Sequence, residues 1–264
     1  MPNANETFEI PRKVLPIIYV LDTSESMAGE RIAAVNEAMN ETMEVLRDVS
    51  EKDPDVEIKI GVLKFSTNAE WATEGLILTD DFDGANFQTG GIMNLGHALE
   101  ELNSKLSRSE FLVSDTGFCV PVLIFIGGGQ PTDNYQQVLD EINATNKWFR
   151  CANKIAIAVG EDADRGALEK IVGNKEAVIA VNDVETLKSL LKVASLSVLG
   201  VCFGRIAKGQ STAEERFIQA QVKSGEETDK LETNFEDWIA PTSITPPADN
   251  NTFDNREDWD NWFE

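Results

Sequence analysis

"VLDTSESMAG", residues 20–29, decides how this chain is read. It closes an apolar run, "VLPIIYVL" (14–21), with a carboxylate at Asp22, and then sets two hydroxyls, Ser24 and Ser26, at alternate positions. A short, nearly continuous apolar run is the pattern of a strand buried on both faces. From Glu30 the period changes. Ile32, Val35, Met39, Leu46 and Val49 recur at helical spacing, which predicts an amphipathic helix ending near Lys52.

Outward from there, strand and helix patterns alternate. "VEIKIGVLKFS" (56–66) reads as a strand, with "AEWATEGLILTD" (69–80) as its hairpin partner or an edge strand. "LGHALEELNSKL" (95–106) reads as a helix, and "CVPVLIFIGGGQPTD" (119–133) as a second core strand broken by three glycines and a proline. A helix over 135–149, a strand over 154–160 and a short helix over 164–173 closed by Gly173 follow. A strand over 177–183 and a helix over 184–200 complete the series. The alternation predicts an α/β fold in three layers, with a mostly parallel central sheet flanked by helices. Ligands of such sheets bind beyond the carboxyl ends of the strands. Asp22, Ser24 and Ser26 fall at one such end, and Gly127, Gly128 and Gly129 at another.

The residue types at the first end suit hard cations. Mg²⁺ and Mn²⁺ take carboxylate, hydroxyl and water oxygens. Residues 22, 24 and 26 share a side if the loop leaves the strand nearly extended. The competing role for the two serines is to cap the helix that follows. Other chemistry is poorly supplied. "GGGQPT" lacks the lysine and the glycine spacing of a phosphate loop. The single histidine, His97, opens a helix with no cysteine partner of the kind a nucleophile site needs, and no G-x-S-x-G elbow occurs.

Taken together, "LDTSESMAGERIAAVNEAM", "GGIMNLGHAL", "LIFIGGGQPTD" and "IAIAVGEDAD" resemble the von Willebrand factor type A fold, and within it the bacterial tellurium-resistance TerY-like branch, over roughly residues 12–200. The resemblance implies a metal-ion-dependent adhesion site. In that family two serines bind the cation directly and an Asp binds it through water. A Thr and a second Asp arrive on other loops, and a partner's carboxylate completes the sphere. Asp22, Ser24 and Ser26 match this pattern, but the Thr position is Ile92 and the second Asp position is Gly128. One carboxylate leaves a divalent ion with a net positive charge to be met by water or a partner. Binding of Mg²⁺ or Mn²⁺ is therefore expected to be weak or absent without help. Thr89, Asn94 and Asp133 are the residues near enough in sequence to substitute. The resemblance also implies non-enzymatic work beside a protein kinase and a phosphatase in stress response or phage defence.

Composition sets the surroundings. The chain has 264 residues and carries 23 basic against 46 acidic side chains, a formal charge of −23. That charge disfavours nucleic-acid backbones and anionic membranes. The opening "MPNANETFEIPRKV" lacks a signal-peptide layout, and the expected location is the cytoplasm. Cys119, Cys151 and Cys202 lie far apart in apolar contexts and are expected to be small buried hydrophobes. The organisation expected is an arm over 1–11, the domain over 12–208 and an acidic tail over 209–264. The tail holds 14 acidic against 4 basic residues, yet it carries Trp238, Trp259, Trp262 and Phe263. Three readings are compatible with that pattern: a solvated linker, a partner-binding motif with aromatics in an apolar pocket and acids on a basic rim, and a tail folded over its own domain that supplies the missing carboxylate. Two rival functions stay open: a metal-dependent hydrolase or phosphotransfer enzyme using Asp22, and a nucleic-acid mimic built from the tail.

Overall fold

The computed structural model describes residues 12–53 and 56–197. The arm over 1–11 and the tail, with Trp238, Trp259, Trp262 and Phe263, lie outside the described residues. Seven strands are described: β1 (Lys13–Asp22), β2 (Val56–Phe65), β3 (Ala69–Trp71), β4 (Ile77–Leu78), β5 (Val122–Gly127), β6 (Asn153–Val159) and β7 (Val178–Val181). They form one sheet in the order β3-β2-β1-β5-β6-β7, with β4 also on β2. β1 is parallel to β2 and β5, and β5–β6 and β6–β7 are parallel as well. β3 and β4 run antiparallel along the outer side of β2, so the stretch expected as a hairpin partner is two short edge strands.

Among the described residues, six α-helices cover the faces: α1 (Glu30–Lys52), α2 (Leu95–Lys105), α3 (Tyr135–Thr145), α4 (Lys147–Cys151), α5 (Arg165–Val172) and α6 (Val184–Ser197). Side-chain alternation in β1 divides the core. Leu15, Ile17, Tyr19 and Leu21 pack with Val35, Met39 and Leu46 of α1 and Leu187 and Leu191 of α6. Ile18 and Val20 pack on the other face with Leu99 of α2, Ile142 of α3 and Leu168 of α5. This two-sided burial is why β1 is apolar at every position after Lys13 until Asp22.

Two departures from expectation come from contacts distant in sequence. The single helix expected over 135–149 is two, because Asn146 is extended and uses its side chain elsewhere. Its Oδ1 accepts from Phe149 N–H, while its amide donates to Asn103 Oδ1 (3.0 Å) and to the Leu106 carbonyl (3.1 Å) at the end of α2. Cys119 is buried as expected, but it is disulfide-bonded rather than a free hydrophobe. Pairing depends on tertiary proximity that wide spacing does not encode. Cys151 is free and partly buried. Among the described residues, no helix is long and apolar enough to cross a membrane.

The chain leaves β1 toward β2 and returns to the other side of β1 at β5. The carboxyl ends of β1 and β5 therefore flank the switch point where crevices form in open α/β sheets. Asp22 is the last residue of β1 and Gly127 the last of β5.

Candidate functional site

Asp22, Ser24 and Ser26 converge as the sequence spacing requires. Asp22 Oδ1 accepts from the Ser24 N–H (2.8 Å), and Ser24 and Ser26 share a hydroxyl hydrogen bond (2.8 Å). Ser26 Oγ also points toward Asp22 Oδ2 at 3.5 Å, the outer limit of a hydrogen bond. Across the crevice, the Gly128 N–H donates to Asp22 Oδ2 (3.2 Å). Asp22 is 0% exposed and Ser24 2%. Burial pushes the Asp22 carboxyl above its ordinary range, opposed by these hydrogen bonds from Ser24, Gly128 and Ser26. The helix-capping alternative does not hold. A short 3₁₀ turn (Glu25–Met27) follows Ser24 without a side-chain cap, and Gly29 occupies the cap position of α1, with no side-chain cap bond there either.

The three glycines at the end of β5 stand in close approach to their neighbours. A Cβ on Gly127 would stand 3.3 Å from Asp22 Cβ. One on Gly128 would collide with the carbonyl oxygen of Val159 in β6 and lie 3.0 Å from Met27 Sδ. Gly129 has φ +144°, and its Cβ would stand 2.6 Å from Ser26 Oγ.

The remaining loops lock around this contact. The Glu25 N–H donates to Gly91 O (3.0 Å) and the Gly90 N–H to Thr23 O (2.9 Å). Ile92 stands 53% exposed at this edge. On the other side Arg31 donates to the Ser26 carbonyl (2.8 Å) and pairs with Asp162 (2.5 Å). These bonds hold the Asp162 carboxyl below its ordinary range. Gly160 makes room, since a Cβ there would run into the Arg31 guanidinium. The sequence reading did not single out Arg31 or Asp162. Their separation of 131 residues leaves no local signal.

The suggested substitute ligands are used in other ways. Asn94 donates to the Thr67 carbonyl (2.9 Å) and accepts from Thr132 Oγ1 (2.8 Å). Asp133 Oδ2 accepts from the His97 N–H (3.2 Å) at the start of α2, and a Cβ on Gly96 would press against it at 2.7 Å. Asp133 Oδ1 is buried without a hydrogen-bond partner. The positive end of the α2 dipole favours a carboxylate there. Thr89 lies beside Gly90 in the loop that backbone contacts hold against Thr23, and its side chain is not bonded to Asp22 or either serine. His97 is exposed on its helix, near Glu100. Among the described residues, no three His, Cys, Asp or Glu side chains are grouped to hold a metal ion.

A doubly covered parallel sheet with a D-x-S-x-S turn at the switch point agrees with the match of residues 17–193 to the von Willebrand factor type A domain. The chain belongs to that family. Von Willebrand A domains generally serve as protein-interaction modules. Solved structures with the same fold include proximal thread matrix protein 1 from the mussel byssus, at 19% identity and a TM-score of 0.52, covering 69% of this chain and 47% of that one. The ArnB paralog VWA2 from Sulfolobus acidocaldarius matches at 18% identity and TM-score 0.51, covering 70% and 46%. A von Willebrand factor type A protein from Catenulispora acidiphila matches at 15% and 0.53, covering 71% and 43%. The mussel protein has also been solved with zinc in its MIDAS motif. Each match spans less than half of the solved chain. No curated protein matches the chain.

Proposed function

We propose that this von Willebrand A domain is a non-enzymatic protein-interaction module with a degenerate metal-ion-dependent adhesion site. Asp22, Ser24 and Ser26 are its remnant. The observation that carries the reading is the pairing of this intact turn with Gly128 and Ile92 on the facing loops. Gly128 has no space for a carboxylate, and Ile92 offers no oxygen. One carboxylate and two hydroxyls do not fit Mg²⁺ or Mn²⁺ unaided, because the charge of the ion stays half met. The same shortage of acids, bases and nucleophiles speaks against a hydrolase built on Asp22.

The wider setting belongs to the same proposal: a TerY-like scaffold or regulator in the cytoplasm, partnered by a protein kinase and a phosphatase in stress response or phage defence. The tail over 209–264 would dock through Trp238, Trp259, Trp262 and Phe263. Disulfides rarely persist in the cytoplasm, so the Cys119 bond would be transient in that setting. Affinity capture from the native host with the full chain and with a chain ending at residue 208 tests the reading. A partner recovered by the full chain and lost or weakened with the shorter one is expected; recovery of no partner by either refutes it.

A further inference from the structure

We infer that the Asp22–Ser24–Ser26 cluster is a closed latch that joins the loops after β1 and β5 without a cation, so that recognition on this face needs no divalent metal. The second clause rests on the interaction-module reading; the first does not.

The latch is visible in what the polar atoms already do. Both Asp22 oxygens accept backbone N–H groups, one from its own loop and one from the loop after β5. The two serine hydroxyls bond to each other. A carboxylate that accepts backbone donors from two loops holds those loops together by charge-assisted hydrogen bonds.

The loop after β5 is also packed too closely to admit a second carboxylate. Its backbone lies against Asp22 at Gly127, against Val159 at Gly128 and against Ser26 at Gly129. A side chain at Gly128 would have to push this backbone away from Val159, which belongs to β6 and cannot retreat without breaking its pairing with β7. Meanwhile Arg31 places a guanidinium on the Ser26 carbonyl.

The neighbouring loops are tied in the same ion-free manner. The Asp164 N–H donates to Gly129 O (2.8 Å), and the Gln130 side chain donates to Asp162 O (3.2 Å). Accessible groups on these loops include Ile92, Glu25, Gln130 and the Asp162 side chain, which is 57% exposed.

The test uses the full chain stripped with EDTA, with Mn²⁺ as the probe. Thermal unfolding and the free-Mn²⁺ spin-resonance signal are followed for the wild type, Asp22→Ala and Ser26→Ala. The wild type is expected to unfold at the same midpoint in EDTA and in millimolar Mn²⁺. Ser26→Ala is expected to unfold about 2–4 °C lower in EDTA, the loss of one hydrogen bond. Wild type and Asp22→Ala should take up equal Mn²⁺, that of the acidic surface. If Asp22→Ala does not fold, Ser26→Ala carries the comparison, because its side chain is only half-buried. A wild-type midpoint raised by Mn²⁺ and a rise lost in Ser26→Ala overturn the latch. So does a Ser26→Ala midpoint unchanged in EDTA. Capture of the same partner in EDTA and in Mn²⁺ supports the metal-independent face, and capture only in Mn²⁺ overturns it. If no partner is captured at all, the interaction reading fails while the unfolding results still decide the latch.

Discussion

Gly128→Ala is the most informative single change. The added Cβ meets the Val159 carbonyl oxygen and Met27 Sδ at 3.0 Å, and the first of these is sheet backbone with no rotamer to escape into. Overpacking of this kind costs about 1–3 kcal/mol. Relief requires the loop to move, which breaks the Gly128 N–H bond to Asp22 Oδ2. A hydrogen bond to a charged acceptor contributes about 1.5–3 kcal/mol. The combined loss is about 2.5–6 kcal/mol, or on the order of 5–24 °C at 2–4 °C per kcal/mol. The assay is thermal unfolding by circular dichroism in EDTA, with Gly90→Ala as the control. A Cβ added at Gly90 would meet no atom within 4 Å, and the residue has no positive φ, so its variant should stay within about 0.5 kcal/mol of wild type. Gly128→Asp should lose at least as much as Gly128→Ala and gain no stabilisation from Mg²⁺. A Gly128→Ala protein as stable as wild type would refute the reasoning, since the loop would then have room for the missing acid.

Further outcomes follow from other contacts. Tyr19→Phe removes the buried 2.8 Å bond to Ser195 Oγ and should cost about 1 kcal/mol by urea unfolding, no more, because Ser195 keeps its bond to the Leu191 carbonyl. Asp22 has its carboxyl raised by burial, so its contribution is greatest at low pH and falls as pH rises through the raised value. The stability gap between wild type and Asp22→Ala should therefore widen as pH drops toward about 3.9, the unfolded value. Ile92→Thr restores a hydroxyl at a half-exposed position, and calorimetry should find stability within about 0.5 kcal/mol and no response to Mg²⁺. Thiol labelling of unreduced, denatured protein should find Cys151 reactive, and Cys119 reactive only after reduction.

The sheet was legible because burial on both faces writes itself into β1 and β5 as unbroken apolar runs. The polar turn at Asp22 was legible for the related reason that a carboxylate ending such a run must find donors. Other features depend on what arrives from far away. Asn146 breaks a helical pattern only because Asn103 and Leu106 are placed to receive its amide. Gly127, Gly128 and Gly129 read as punctuation in the sequence, while their need comes from Asp22, Val159 and Ser26. Arg31 and Asp162 carry no local signal, since a sequence separation of 131 hides their pairing. Asp133 had the right chemistry for a ligand but was taken by the start of α2.

The fastening of α6 has a mechanical consequence. Lys188 reaches Glu37 (2.5 Å) and Glu41 (3.3 Å) on α1, and Ser195 holds the phenol of Tyr19 in β1. These contacts join α6 to both α1 and the central strand. Both of those elements begin or end at the Asp22 loop. Loosening α6 would therefore loosen both elements that flank the turn where β1 gives way to α1.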